Sequence, residues 1–236
     1  MRLLKTKKNW DKFAEKNPMW AILTSKIDWT EKEFFSTGEK EIEDILTDLN
    51  KHKISINFKT ALDFGCGIGR LSRALARYFD KVFGVDISIR MINEANKLNK
   101  NKNVNFYLND QDNLNIFKDN SINFIYSNIT LQHISPTYSK RYIKEFIRII
   151  KKGGIAVFQV PEKATIFGIF KNKISKTVFN IKKHVFKKNT PVMEMNCISF
   201  EELKRIVQKN NSKIIMRYKN NMAGRYYYSY TYFLTK

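Results

Sequence analysis

Residues 61–69 read ALDFGCGIG, an apolar run that ends in Asp63 and is followed by three glycines in five positions, in a chain with only nine glycines among 236 residues. Glycine lacks a β-carbon, so it takes backbone angles that other residues avoid and lets main-chain N–H groups approach a ligand closely. A strand that ends in such a loop and leads into a helix puts those N–H groups at the carboxyl edge of a sheet. The spacing narrows the choice of ligand. Gly69 falls one residue earlier than the last glycine of the G-x-G-x-x-G loop that holds nicotinamide and flavin dinucleotides, and Arg70 stands in that place. No Lys-Ser or Lys-Thr pair closes the loop, so it is not a nucleoside triphosphate P-loop either.

Around the loop, strand and helix patterns alternate from residue 59 to residue 160, which predicts α/β units on a parallel sheet. Strands are expected at KTALDF, KVFGVD, VNFYL, INFIYS and IAVFQV. Helical spacing links Ile68, Leu71, Leu75 and Tyr78, then Met91, Ala95 and Leu98, then Tyr142, Phe146 and Ile149. The glycines of KKGG, residues 151–154, suit a stop for the last of these helices. Beyond residue 198, Ser199 followed by Glu201 and Glu202 marks a capped helix start. The final runs SKIIMRY and YYYSYTYFL predict an antiparallel hairpin.

The length predicts one domain over 1–236, with an aromatic and helical arm at 1–58 and a basic insertion at 161–197. No segment approaches the roughly 20 apolar residues of a membrane span, and the first residues lack the apolar region of a secretory signal, so a cytoplasmic location is expected. Cys66 and Cys197 have no metal-like spacing and are expected to be reduced. His52 and His184 have no motif around them, and no cluster suggests a metal. The net charge of +21 suits an anionic partner, such as a nucleic acid, a phosphorylated substrate or a membrane surface. Lysine and asparagine are abundant along the whole chain, which offers a compositional source for the same charge.

DFGCGIG matches the first motif of the class I S-adenosylmethionine (SAM)-dependent methyltransferases, an acid followed by G-x-G-x-G, and the chain resembles that family over roughly residues 60–161. The resemblance implies a Rossmann-like α/β fold, with a seven-stranded sheet in the order 3-2-1-4-5-7-6, the last strand antiparallel and helices on both faces. It implies SAM as cofactor and S-adenosylhomocysteine as product. Gly65, Gly67 and Gly69 would lie along the methionine part, with Phe64 and Cys66 beside them, and Asp63 would help to hold the amino group. Asp86, with Ile87 and Met91 after it, would take both ribose hydroxyls, since one carboxylate offers acceptors for two neighbouring donors. Asn109 and Asp110 would flank the adenine, and Asn128 follows the fourth strand at the substrate side. Each acid also has a local reading, because Asp is common in turns at strand ends.

Methyl transfer from a sulfonium is an in-line displacement, so alignment is the main task and a base is needed only where the acceptor must lose a proton. His133, in YSNITLQHI just past the fourth strand, is the candidate base; local hydrogen bonding or packing is the competing reading. The arm holds Trp10, Trp20 and Trp29 ahead of a helix around Ile42, Ile45 and Leu49, and could form a lid or simply glue itself to the core. The insertion interleaves Phe and Ile with lysines, which suits a basic lid over the acceptor, an interfacial helix at a membrane surface or a solvated face. A weaker resemblance to methyltransferases of bacterial surface-glycan and specialised-metabolite pathways points to a small polar acceptor, with a sugar hydroxyl leading. The sugar could be nucleotide-linked or lipid-linked, and its phosphates would answer the lysines. An RNA methyltransferase is the alternative, disfavoured because SNIT lacks the prolines of adenine amino-methylation and neither cysteine has the setting for cytosine C5 chemistry. A non-catalytic partner subunit with the same fold is the third reading.

Overall fold

The computed structural model describes residues 2–169 and 191–236. Its strands are β1 (Thr60–Phe64), β2 (Lys81–Asp86), β3 (Val104–Leu108), β4 (Ile122–Ser127), β5 (Ile150–Ala164), β6 (Lys213–Asn220) and β7 (Tyr227–Thr235). They form one sheet in the order β3-β2-β1-β4-β5-β7-β6. β1 pairs in parallel with β2 and β4, β2 with β3, and β4 with β5, whereas β7 runs antiparallel to both β5 and β6. This is the expected order, with the final strand reversed as expected. The central strands are apolar almost throughout because both of their faces are covered, and all six residues of β4 are buried.

The helices are α1 (Arg2–Lys16), α2 (Pro18–Ile22), α3 (Glu31–Lys51), α4 (Arg70–Leu75), α5 (Ile89–Leu98), α6 (Pro136–Ile149) and α7 (Phe200–Lys209). Alternating side chains of the strands feed two cores. Leu62, Ile125, Phe158 and Tyr232 pack with Phe146 of α6 and Leu203 of α7, whereas Ala61, Phe124, Val157 and Phe233 pack with Ile42 of α3 and Leu75 of α4. Each fully buried Phe, Leu or Ile there contributes about 1.5–3 kcal/mol of transfer free energy. α3 begins at a capping box in which Thr30 and Glu33 satisfy each other's backbone N–H groups. It crosses α4 closely at Gly38, where a β-carbon would lie 2.5 Å from the Arg70 carbonyl oxygen. α7 has the expected cap, with Ser199 and Glu202 forming a second capping box.

One boundary differs from the sequence pattern. α6 ends at Ile149 without using Gly153 and Gly154, and the chain passes straight into β5 at Ile150. Ile150 already pairs with Ile122, and the register shifts before Phe124 meets Ile155, so the glycines occupy an irregularity within the strand. Ile149 and Ile150 are both fully buried, so the apolar run carries the turn from helix to strand.

The arm is more helical than the sequence pattern suggests, since α1 and α2 precede the expected helix. A third apolar cluster joins it to the sheet's carboxyl edge: Phe13, Ala21, Phe34 and Phe35 pack with Ile68 and Met91, and all three tryptophans lean on this cluster. Of the insertion at 161–197, residues 170–190 lie outside the described residues. Its described parts are the end of β5, a helical turn at 166–169 and a stretch outside helix and strand after residue 190. Among the described residues no helix is long and apolar enough to cross a membrane.

Candidate cofactor and acceptor site

The glycine loop follows β1 and is tied to β2, because the Gly65 and Cys66 N–H groups both donate to the Val85 carbonyl, at 2.7 and 3.1 Å. Gly65, Gly67 and Gly69 have φ of +79°, +53° and +87°, the left-handed region in which a side chain is strained. Close neighbours reinforce the choice: a β-carbon on Gly65 would meet the Thr130 side chain at 2.2 Å, and one on Gly67 would meet Ile22 Cδ1 at 2.5 Å. The loop therefore lies between the segment after β4 and the short helix α2.

The cavity at this edge is lined by Phe64, Gly65, Cys66, Gly67, Asp86, Ile87, Met91, Asn109 and Asn128, nine of the twelve residues expected at a cofactor. Asp63, Gly69 and Asp110 are not in its wall. Asp63 lies beneath the loop, fully buried, and accepts a 2.6 Å hydrogen bond from the Ser72 hydroxyl. Burial pushes its carboxyl up to about 7, against the opposing influence of Ser72 and Arg70. Gly69 serves as the left-handed cap of α4, its α-carbon facing Phe106. Asp110 points to α1, where Lys7 binds it at 2.8 Å and holds its carboxyl below the usual range.

Asp86 stands in the wall with its two oxygens shared out: Oδ2 accepts the Gly67 N–H at 2.9 Å and Oδ1 the Ser88 N–H at 2.8 Å. Burial pushes this carboxyl up to about 6, while the N–H groups of Ser88, Gly67 and Ile87 hold it down. Each oxygen keeps a lone pair for a further donor. Burial also raises the Cys66 thiol well above its ordinary value, so it is an inert wall residue.

Several other wall residues were not among those expected at the cofactor, among them Ile22, Arg70, Thr130 and Tyr142, and Trp10 of the arm joins them. Arg70 belongs to a buried network built on Glu41 of α3. Glu41 accepts from the Arg70 guanidinium at 2.8 Å, from the Tyr126 hydroxyl at 2.9 Å and from the Asn128 amide at 2.7 Å. Asn128 Oδ1 and Arg70 Nε, both buried, have no protein partner. Leaving such a group unpaired costs about 1–3 kcal/mol, so a wall that presents them is matched to a ligand carrying its own donor and acceptor. The amino-acid end of SAM offers both, an ammonium for Asn128 Oδ1 and a carboxylate for Arg70. Asp86 is placed for hydroxyls, and Ile87, Met91 and Tyr142 supply apolar surface. The residues present thus fit that cofactor.

His133 is buried beyond the end of β4, in a short 3-10 turn (Leu131–His133). Its Nδ1 faces the Glu194 carbonyl at 2.8 Å and its Nε2 the Gln132 amide nitrogen at 3.1 Å. Burial holds the imidazole below its ordinary pKa of 6.5. It does not itself line the cavity, but Trp10, which does, packs edge-on against its ring at 5.4 Å. α1 bridges the site: Ser88 donates to Asp11 at 2.6 Å, Lys7 reaches Asp110, Asn9 donates to the Val192 carbonyl at 3.2 Å, and Lys5 pairs with Glu194 at 2.7 Å. Among the described residues no group of three His, Cys, Asp or Glu could hold a metal ion.

Comparison with known proteins bears on the domain and its fold. Residues 62–158 match the family described as Methyltransferase domain. A phosphoethanolamine N-methyltransferase from Triticum aestivum is 29% identical over 103 residues, which cover 43% of this chain and 20% of that enzyme. This chain spans about a fifth of the length of the curated relatives it matches. Among solved structures, magnesium protoporphyrin IX methyltransferase from Synechocystis, with bound S-adenosylhomocysteine, superposes with a TM-score of 0.69 at 16% identity, covering 100% of both chains. Phosphoethanolamine N-methyltransferase 1 from Haemonchus contortus, in complex with phosphoethanolamine and S-adenosylhomocysteine, gives a TM-score of 0.55 at 20% identity, covering 67% of this chain and 32% of that one. Residues 62–158 thus match a methyltransferase domain, and the chain as a whole has the fold of the methyltransferase structures it superposes on.

Proposed function

We propose that the cavity beneath α1 binds SAM and that the chain transfers its methyl group to a small polar acceptor, with a sugar hydroxyl as the leading class. The observation that carries the reading is the wall itself, which combines Asn128 and Arg70, with their unpaired Oδ1 and Nε, and the Asp86 carboxylate. SAM supplies a methyl group on a sulfonium, already activated for displacement. The protein's part is then to hold and align. Arg70 and Asn128 bind the amino-acid end, Asp86 the ribose hydroxyls, and Ile87, Met91 and Asn109 the base. α1 and Trp10 form a lid that keeps water out. His133 is our proposed base for a hydroxyl acceptor; it lies behind Trp10 rather than in the cavity wall, so it takes a proton at Nε2 only when Trp10 and the Gln132 amide both turn aside.

A phosphate on the acceptor accords with the net charge of +21. The nematode relative was crystallised with phosphoethanolamine, which is such a molecule. A lipid-linked acceptor has its own support at the carboxyl end of β5, where Ile166 and Phe167 are 72% and 78% exposed. Close by, Lys163 and Lys219 both lie over the Tyr228 ring. Apolar tips among lysines and tyrosines suit an anionic membrane surface. The test is transfer of label from methyl-labelled SAM to nucleotide sugars, lipid-linked sugars, phosphoethanolamine or RNA offered singly. Label in a small phosphate-bearing acceptor supports the reading, and label in RNA alone overturns it.

A further inference from the structure

The hydrogen bonds around His133 have a direction that two backbone groups fix. At one end is the Ile129 N–H, which can only donate, and it meets Gln159 Oε1 at 3.1 Å. The other nitrogen-bearing end of Gln159 therefore donates, to Gln132 Oε1 at 3.0 Å and to the Ser229 hydroxyl at 2.6 Å. That leaves the Gln132 amide N–H pointing at His133 Nε2, 3.1 Å away, so Nε2 must accept. At the far end the Glu194 carbonyl can only accept, and it takes the proton on His133 Nδ1 at 2.8 Å. Read from both ends, the relay runs Ile129, Gln159, Gln132, His133, Glu194 with one polarity throughout. Turning either amide over would set two donors face to face.

The relay is enclosed. Gln159, Gln132, His133 and Ser229 are 1%, 3%, 8% and 0% exposed, so water cannot easily repair a mismatch. Its first member is under strain, since Ile129 has φ of +55°, a left-handed conformation that a β-branched residue adopts at a cost of about 1–3 kcal/mol. The strain directs the Ile129 N–H to Gln159 on β5. At the far end the Gln132 carbonyl accepts from the Asn196 N–H at 2.8 Å, which docks the chain after residue 190 onto the same turn.

We propose that Gln159 is a positioning residue which, through Gln132, holds His133 as the uncharged Nδ1–H tautomer and so keeps a second positive charge away from a site built for a cationic cofactor. The geometry stands by itself; the purpose rests on the SAM reading above. An imidazolium would need an acceptor at Nε2, and the relay presents a donor there. The charged groups on the packed elements do not supply one: Glu194 is paired with Lys5 of α1, Lys7 of that helix with Asp110, and β5 and β7 present the uncharged Gln159 and Ser229. Burial acts in the same direction.

The test is nitrogen-15 NMR of the imidazoles, which is tractable because the chain has only three histidines and His52 and His184 can be assigned by substitution to Gln. In the wild-type protein the relay requires the proton on Nδ1 and a hydrogen-bonded, unprotonated Nε2. A proton on Nε2 at neutral pH overturns it without recourse to any variant. In Gln159→Met the Gln132 amide is released and can turn its oxygen to His133, so the protonation midpoint should rise by about 1–2 pH units, a ten- to hundredfold gain in proton affinity. The rise should be smaller in Gln159→Met/Gln132→Met, where Nε2 loses its donor but gains no amide oxygen. An unchanged midpoint in the single variant, or a rise in the double as large as in the single, refutes transmission through Gln132. Gln159→Met should also lose affinity for SAM several-fold relative to S-adenosylhomocysteine at pH 6 and not at pH 8, and equal loss for both ligands removes the charge-exclusion purpose. A protein with the relay intact that transfers no methyl group refutes the function and leaves the relay standing.

Discussion

Glu41 lies on α3, outside residues 62–158, yet the cavity wall depends on it. Its Oε2 meets the Arg70 guanidinium at 2.8 Å, with side chains only 14% and 4% exposed, and its Oε1 accepts from Tyr126 and Asn128. Glu41→Gln keeps the shape and the acceptor for those two donors but sets an amide N–H against the guanidinium, leaving a buried cation uncompensated. Breaking such a pair from one side costs about 3–5 kcal/mol. At about 2–4 °C per kcal/mol for a domain of this size, the melting temperature should fall by roughly 6–20 °C. Glu41→Gln/Arg70→Leu removes the stranded charge as well, so its cost should be smaller than the sum of the single costs by about 2 kcal/mol or more. Urea unfolding of wild type, both single variants and the double variant completes the cycle. A Glu41→Gln cost below about 1 kcal/mol, or additive single costs, would show that the network does not hold Arg70 in the wall.

Two more predictions concern the acids. Asp63 has a folded-state pKa of about 7, raised from 3.8 by burial, so the fold favours the protonated acid. That contribution is fully present below pH 3.8 and is lost as pH rises through about 7, and Asp86 adds the same trend, ending near 6. Denaturant midpoints should therefore fall between about pH 4 and pH 7 and level off above, and Asp63→Asn should flatten the fall; an equally steep profile in the variant would mean that the slope has another source. Asp86→Asn should weaken SAM by about 10- to 150-fold in a calorimetric titration, the loss of one charge-assisted hydrogen bond of about 1.5–3 kcal/mol. Unchanged affinity would take the ribose role away from Asp86.

The fold was legible because the signals that specify it are local. Short apolar runs bounded by Gly65 or Asp86, and the capping box at Ser199, each carry their own reason for ending where they do. The end of α6 was misjudged because glycines in KKGG suit a helix stop as well as a strand irregularity, and only the pairing of Ile150 with Ile122 separates the two. In the site, residues on the strand ends were readable and those brought in from elsewhere were not. Arg70 is the residue after the third glycine, but its partner Glu41 is 29 positions away on a helix whose apolar face alone showed in the pattern. Asp63 and Asp110 carry the right chemistry at the right spacing, yet Ser72 and Lys7 claim them. α1 escaped notice because its lysines dilute its apolar stripe, although Trp10 and Phe13 anchor it. The relay through Gln159 and Gln132 left no trace in spacing, since it links residues of β5, β7 and the 3-10 turn that only the closed sheet brings together.

The reaction proposed for this chain is methyl transfer from SAM to a small polar acceptor. The measurement that tests it most directly is transfer of label from methyl-labelled SAM into extract of cells lacking this protein, separated into nucleotide sugars, lipid-linked glycans, other small phosphate esters, RNA and protein, with Asp86→Ala as control. Label is expected in one small-acceptor or lipid-linked fraction with the wild-type chain and should be lost with the variant. Label confined to RNA or protein, or no label in any fraction, would contradict it.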